Sequence, residues 1–537
     1  MKLKNSILLA GVGVMALTLA TSTTAFSENH HDVSRVLLIS VDGMHASDLK
    51  AYVASHQKSA LASLSRHGTV YPNALTSAPS DSFPGLLAQV TGGSSKSHGV
   101  FYDVSYDRTL FAAGSNCAGT PGTQPALDEH LDKDPLSYTG GGTLGDSLSQ
   151  INNALLPLAL RDGKCTPVLP HQFIKTNTIF EVIKANGGHT AWADKHPAYE
   201  ILNGPSGHGV DDLFTPEVNS NDSLTGADTT TGFHSVQRND ALKVTAVLNE
   251  MAGLKSTGST YAGVPTIFGM NFQSVSVRQK LAKGNTKDPQ DAGLIGGYAD
   301  AVGAQPNNGL ASGLDFVDTQ LQSMLDALEK NHLREDTLII VSAKHGQSPI
   351  NLAQRTAVDD SPYTKTPGFA ASITDDVGLV WLAPDAQKKQ YEAAEAYLKS
   401  QFGPLGITKL LDRDDLKKLY QDPFSDNRTP DFVAITKQGL IYTGGTKLAE
   451  HGGFSKDDRN VTLLVSKPSM EQTSVDDVVE TKQIAPTILK ALGIDPSRLN
   501  AVKMERTAAL PGLDHRDGDH QDHDRQNNDH ENNDHAE

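Results

Sequence analysis

Cysteine is scarce in this chain. Only Cys117 and Cys165 occur, so a disulfide framework cannot carry the fold, and their spacing is wrong for a zinc knuckle. A single disulfide between them is the economical reading for an oxidising compartment. Positive charge is also in deficit, with 46 Lys and Arg against 63 Asp and Glu and a formal net charge of −17. That balance excludes a nucleic-acid or anionic-membrane surface as the main partner. Beyond residue 25 no apolar run is long enough to span a bilayer.

What is present begins with "MKLK", then "ILLAGVGVMALTLA", then "TTA" ending at Ala25. A basic start, an apolar stretch and a small-residue cleavage site predict a signal peptide over residues 1–25, with a retained anchor as the alternative. The expectation is an exported protein, secreted or periplasmic, with no membrane span after cleavage. At the other end, residues 514–537 alternate His, Asp and Asn with almost no apolar residue. They predict a disordered tail whose five histidines offer donors to a divalent metal.

Between these ends, residues 32–513 read as one large domain. "RVLLISVDGM" predicts a buried strand over Val36–Val41 that ends at Asp42. "TNTIFEVIKANGGHTAWAD" predicts a helix and then a strand, and "VPTIFGMNFQSVSV" another strand. "DFVDTQLQSMLDALEKN" has helical spacing, "DTLIIVSAKHG" is a strand ending at Lys344-His345, and "TKQIAPTILKALGI" is an amphipathic helix. This alternation predicts an α/β fold, a doubly wound and mostly parallel sheet sandwiched by helices. Residues 104–175 read as a loop-rich insertion and residues 350–440 as an inserted cap.

Chemistry gathers at strand ends and turns: Asp42, Ser82 in "SDSFPGLLAQVTGG", Lys344-His345, and His451 in "AEHGGFSKDD". Each has a plain structural reading, a turn residue or, for Ser82, a cap on a helix starting at Pro84. Together they lie where open α/β sheets bind ligands. The "WADKHPAYEIL" segment adds His196, read first as a satisfied loop histidine and alternatively as a residue facing the same cleft.

Four stretches, "LLISVDGM", "SFPGLLAQVTGGSSKSHGVFYD", "DTLIIVSAKHGQ" and "HGGFSKDDRNVTLLV", resemble the alkaline phosphatase superfamily, in its type I phosphodiesterase and nucleotide pyrophosphatase branch. The resemblance implies a two-zinc hydrolase of small-molecule phosphodiesters or other phosphate esters, acting through a covalent intermediate on Ser82. It implies Asp42, His345 and His451 as metal ligands and places Asp103 where the family binds a phosphate oxygen.

The chain departs from the family pattern at three positions. Lys344 stands at a carboxylate ligand, and Gln273 and Val277 stand at an Asp and a His. The expectation is therefore a divalent metal, most simply zinc, at fewer than two ions, with Gln273 turned to substrate. Lys344 then supplies the missing positive charge, paired with Asp42 or Asp103. The alternatives are a phosphate-ester binding protein without turnover, and a sulfate-ester or phosphonate hydrolase on the same scaffold.

Overall fold

The computed structural model describes residues 33–127 and 131–513, so the expected signal peptide and the His-rich tail lie outside the described residues. Its centre is an eight-stranded sheet. In spatial order the strands are Thr473–Ser474, Gly68–Val70, Leu463–Ser466, Thr337–Ser342, Arg35–Val41, Ile267–Phe272, Ala191–Ala193 and Asp212–Phe214. Leu463–Ser466 runs antiparallel to both neighbours, and every other pairing in the sheet is parallel.

Side-chain alternation along the strands builds the two faces. Val36, Leu38, Leu338 and Ile340 enter one buried cluster, with the helices Ser82–Thr91, Ile179–Ala185 and Ile484–Ala491. Leu37, Ile39, Val41, Ile339 and Val341 enter another, with the helices Phe233–Met251 and Asn308–Lys330. Apolar residues on both sides are what a parallel strand covered by helices requires. Helix Asn308–Lys330 buries Leu310, Leu314, Val317, Leu321 and Leu328, a single stripe at helical spacing. The result is the α/β sandwich that the sequence pattern predicts.

A second unit leaves this sandwich after residue 345 and returns before residue 451. It holds a four-stranded antiparallel sheet in the order Phe369–Thr374, Val377–Leu382, Phe432–Thr436 and Ile407–Leu411. Its two faces bury separate clusters, one around Trp381 and Tyr420 and the other around Tyr363 and Leu398. Between residues 104 and 175, a hairpin of Leu158–Arg161 and Lys164–Pro167 is tied to the preceding loop by the Cys117–Cys165 disulfide.

Four adjacent parallel strands end on the same edge of the main sheet. Ala191–Ala193 is followed by Asp194-Lys195, and Ile267–Phe272 by Gln273. Arg35–Val41 is followed by Asp42, and Thr337–Ser342 leads to Lys344-His345. That edge is where a doubly wound sheet opens a crevice.

Candidate active site

Ser82 is the first residue of the helix Ser82–Thr91, two residues earlier than the Pro84 start expected from sequence. Asp81 caps the helix, its Oδ1 accepting the Phe83 N–H at 3.1 Å and the Asp103 N–H at 3.0 Å. The helix lies directly on the end of the neighbouring strand. Gln89 Nε2 donates to the Ala343 carbonyl at 2.9 Å, and the Thr76 hydroxyl to the Lys344 carbonyl at 2.5 Å. Ser82 is thereby held, 2% exposed, over the strand ends.

Asp42 is fully buried. Its Oδ2 accepts from Asn271 Nδ2 at 3.2 Å and from the Gln273 side chain, while Oδ1 has no hydrogen-bond partner. Burial alone would raise this carboxyl. Lys344, His345 and Lys195 around it instead hold it far below the usual carboxylate range. Gln273, expected at the substrate, spends its amide on Asp42. Val277, where the resemblance expects a histidine, lies on the helix Ser274–Lys280 and packs with Phe233 and Val236 in an apolar cluster.

His345 and His451 come together with ring centroids 3.9 Å apart. His345 Nδ1 lies 2.8 Å from the Gly346 carbonyl, and that bond leaves Nε2 as the acceptor, 3.7 Å from Asp42 Oδ2. His451 Nδ1 lies 3.9 Å from Asp81 Oδ2, and neither atom has a hydrogen-bond partner. Burial pushes both imidazoles down, and Asp42 only partly offsets this at His345. Two imidazoles thus face two carboxylates, His345 toward Asp42 and His451 toward Asp81. Asp81 is pushed up to about 6 by burial, against the Ser82 N–H and Lys195, which stabilise its charge.

Lys344 corrects one expectation: its partner is neither Asp42 nor Asp103. Nζ donates to Asp194 at 2.9 and 3.1 Å and to the Tyr199 hydroxyl at 2.9 Å. Burial lowers its pKa, with Asp194 and Asp42 resisting. Asp103 Oδ1 accepts the adjacent Val104 N–H at 2.6 Å. The Asp103 backbone N–H, through Asp81, ties it to the Ser82 turn.

Two members of the site escaped the sequence reading. Lys195 Nζ donates to Ser82 Oγ at 3.2 Å, and Asp194 is the Lys344 counter-ion. Both belong to the "WADKHPAYEIL" segment, in which the sequence points to His196. His196 instead packs its ring near Phe83 at 5.8 Å and Tyr199 at 4.8 Å. The available signal was the position of Asp194-Lys195 directly after a buried strand.

The donor set bears on the metal question. Asp42, His345, His451 and Asp81 are the donor residues at the site, but no three of them bring ligand atoms within 4.8 Å of one another, and Lys344, Gln273 and Val277 add none. Elsewhere, His234, Asp288 and Asp291 bring ligand atoms within 4.8 Å of one another. That group is already knit internally, His234 Nδ1 to Asp291 Oδ1 at 2.7 Å and Asp288 to Arg238.

Comparison with known proteins agrees with this geometry. The family model described as type I phosphodiesterase / nucleotide pyrophosphatase matches residues 36–144 and 298–461. No curated protein matches the chain. Among solved structures, murine ectonucleotide pyrophosphatase / phosphodiesterase 5 is similar with a TM-score of 0.52 at 12% identity, covering 86% of this chain and 96% of that one. An inactive form of it in complex with AMP gives 0.51 at 13%, with the same coverage. Wild-type alkaline phosphatase PafA gives 0.53 at 13%, again over 86% of this chain and 96% of that one. At such identities the likeness concerns the fold, whereas the family match takes in Asp42, Ser82, Asp103, Lys344, His345 and His451 within just over half of the chain. The protein therefore belongs to the type I phosphodiesterase / nucleotide pyrophosphatase family of phosphoric ester hydrolases, with an alkaline phosphatase-like fold.

Proposed function

We propose that the protein is an exported hydrolase of phosphodiesters or other small phosphate esters, acting through a phosphoserine on Ser82. The observation that carries this reading is the placement of Ser82. It begins a helix at the sheet's ligand-binding edge, among Asp42, His345, His451 and two lysines. The first N–H groups of that helix, on Ser82 and Phe83, are taken up by Asp81, so the positive charge facing Ser82 Oγ comes from Lys195.

In this reading Ser82 Oγ attacks phosphorus as the bond to the leaving oxygen breaks. Water then cleaves the phosphoserine. A divalent cation, zinc by the chemistry of the two imidazoles, would need Asp42, His345, His451 and Asp81 to draw closer together than they lie here. That ion, when bound, supplies Lewis-acid stabilisation of phosphoryl charge. Gln273 orients Asp42, Asp103 lines the turn beside Ser82, and Lys344 adds positive charge through Tyr199. The four-stranded unit serves as a cap that shapes the leaving-group side, supported by its contacts at Tyr102–Asp375 and Tyr420–Ala78. Export rests on the N-terminal pattern; among the described residues no helix is long and apolar enough to cross a membrane.

The test is Ser82→Ala assayed against aryl phosphodiesters, phosphomonoesters and sulfates. Abolished turnover in a variant that still folds supports the covalent mechanism; retained activity overturns it. A wild type inert to every ester, yet binding inorganic phosphate or AMP, supports the binding-protein reading.

A further inference from the structure

The nucleophile in this site is met by a fixed side-chain cation. Lys195 is 8% exposed, and its Nζ reaches Ser82 Oγ at 3.2 Å. The backbone on either side is pinned: Lys195 N–H donates to Asp194 Oδ1 at 2.9 Å, and its carbonyl accepts the Val218 N–H at 2.8 Å. Behind it, Tyr199 stacks on Phe83 at 4.7 Å between ring centroids, so the segment after Lys195 is packed onto the residue after Ser82. The Tyr199 hydroxyl accepts from Lys344 Nζ at 2.9 Å, which brings a second ammonium up behind the same segment.

The charge of Lys195 is felt throughout the site. It lowers the carboxyls of Asp42 and Asp81 and pushes His451 down. Residues 145–297, which hold Lys195, Asp194, Tyr199 and Gln273, fall between the two stretches that match the family. Lys195 and Asp194 thus lie where the family match leaves the chain uncovered, whereas Lys344 lies within it.

We propose that Lys195 is a catalytic residue whose ammonium, held on Ser82 Oγ, stabilises the nucleophile's negative charge in place of a second metal ion. This rests on Ser82 being the nucleophile. The Ser82 hydroxyl proton passes to solvent, and the alkoxide forms against the Lys195 ammonium. Oγ bonds to phosphorus as the leaving oxygen departs with its electron pair and takes a proton from water. In a two-metal site that stabilisation belongs to an ion bridging the attacking oxygen. Here Lys344, Gln273 and Val277 have removed that ion's ligands, and a tethered cation stands at the oxygen itself. Losing one such group costs on the order of a hundredfold in rate.

The experiment follows Ser82 directly. A serine-directed fluorophosphonate labels the full-length protein, and intact mass and peptide mapping report the rate at Ser82 across pH. Labelling is measured as purified and again after dialysis against a chelator. Lys195→Ala is expected to lower the neutral-pH rate by about a hundredfold and to move the labelling profile to higher pH. Ethylammonium added to Lys195→Ala restores the rate, and propanol does not. Lys195→Gln, which keeps a donor and most of the volume without charge, shows the same shift and covers the case in which the alanine variant fails to fold. Wild-type labelling survives the chelator.

An unshifted profile in both folded variants, or equal rescue by propanol, overturns the proposal. So does loss of wild-type labelling on chelation. In those outcomes Ser82 is still the residue labelled, and the covalent reading stands. If wild-type label maps elsewhere, the covalent reading and the proposal fail together.

Discussion

Gly85 lies against the carbonyl of Lys344 so closely that a Cβ on it would come within 2.0 Å of that oxygen. The helix that begins at Ser82 is thereby seated one glycine deep on the strand end that carries Lys344 and His345. Gly85→Ala must lift the helix or bend the strand. Overpacking of this kind costs about 1–3 kcal/mol, visible as a lower denaturation midpoint. Because the shift occurs between Ser82 and Lys344, the rate of Ser82 labelling should fall further than the stability loss alone accounts for.

Lys344 and Asp194 form a fully buried ion pair at 2.9 Å. Removing one member leaves the other charge without compensation. Lys344→Met alone should cost about 3–5 kcal/mol of stability by chemical denaturation. Lys344→Met with Asp194→Asn removes both charges and should recover most of that loss, a coupling that a double-mutant cycle measures directly. If the two single losses simply add, the pair is not the unit described.

Metal content should fall short of two ions per chain. The donors that remain are Asp42, His345, His451 and Asp81. Elemental analysis belongs on protein ending at residue 513, because the tail's histidines offer donors of their own. One ion or none surviving dialysis is expected, and His451→Ala should weaken any ion found. Two stoichiometric zinc ions would overturn the ligand assignment.

Acidity should be felt at the junction of the two sheets. Asp375 accepts the Tyr102 hydroxyl at 2.7 Å, and burial, with Glu450 nearby, pushes its carboxyl up to about 7. An unfolded Asp titrates near 3.9. Between these values the folded protein holds the extra proton, so this contribution is full below about pH 4 and is lost as pH rises toward 7. Asp375→Asn keeps an acceptor for Tyr102 and removes the titration. Its stability should decline less over that window than that of the wild type, by denaturant midpoint at each pH.

Much of this architecture was legible because buried strands announce themselves as apolar runs. "RVLLISV" and "DTLIIVS" mark the two central strands, and the residues that follow them, Asp42 and Lys344-His345, necessarily reach the sheet edge. The partners were not legible. Asp194 and Lys344 are 150 positions apart, and nothing local to either records the other. Lys195 was hidden differently: its reach to Ser82 depends on Tyr199 folding back onto Phe83, a packing event with no period to detect. The helix starts at Ser82, two residues before Pro84, because Asp81, not Ser82, is the cap.

The rings of His345 and His451 touch, yet the entire four-stranded unit is threaded between them in the chain. Both ends of that excursion are anchored in the main sandwich, one after the strand Thr337–Ser342 and the other ahead of Leu463–Ser466. The chain therefore enters and leaves the second unit through a doorway only one imidazole pair wide. Such a unit is a pendant: lengthening, trimming or exchanging it alters what stands over the crevice while its two attachment points stay fixed. A graft from a relative made between those histidines should carry a change of leaving-group preference without moving Ser82 or either lysine.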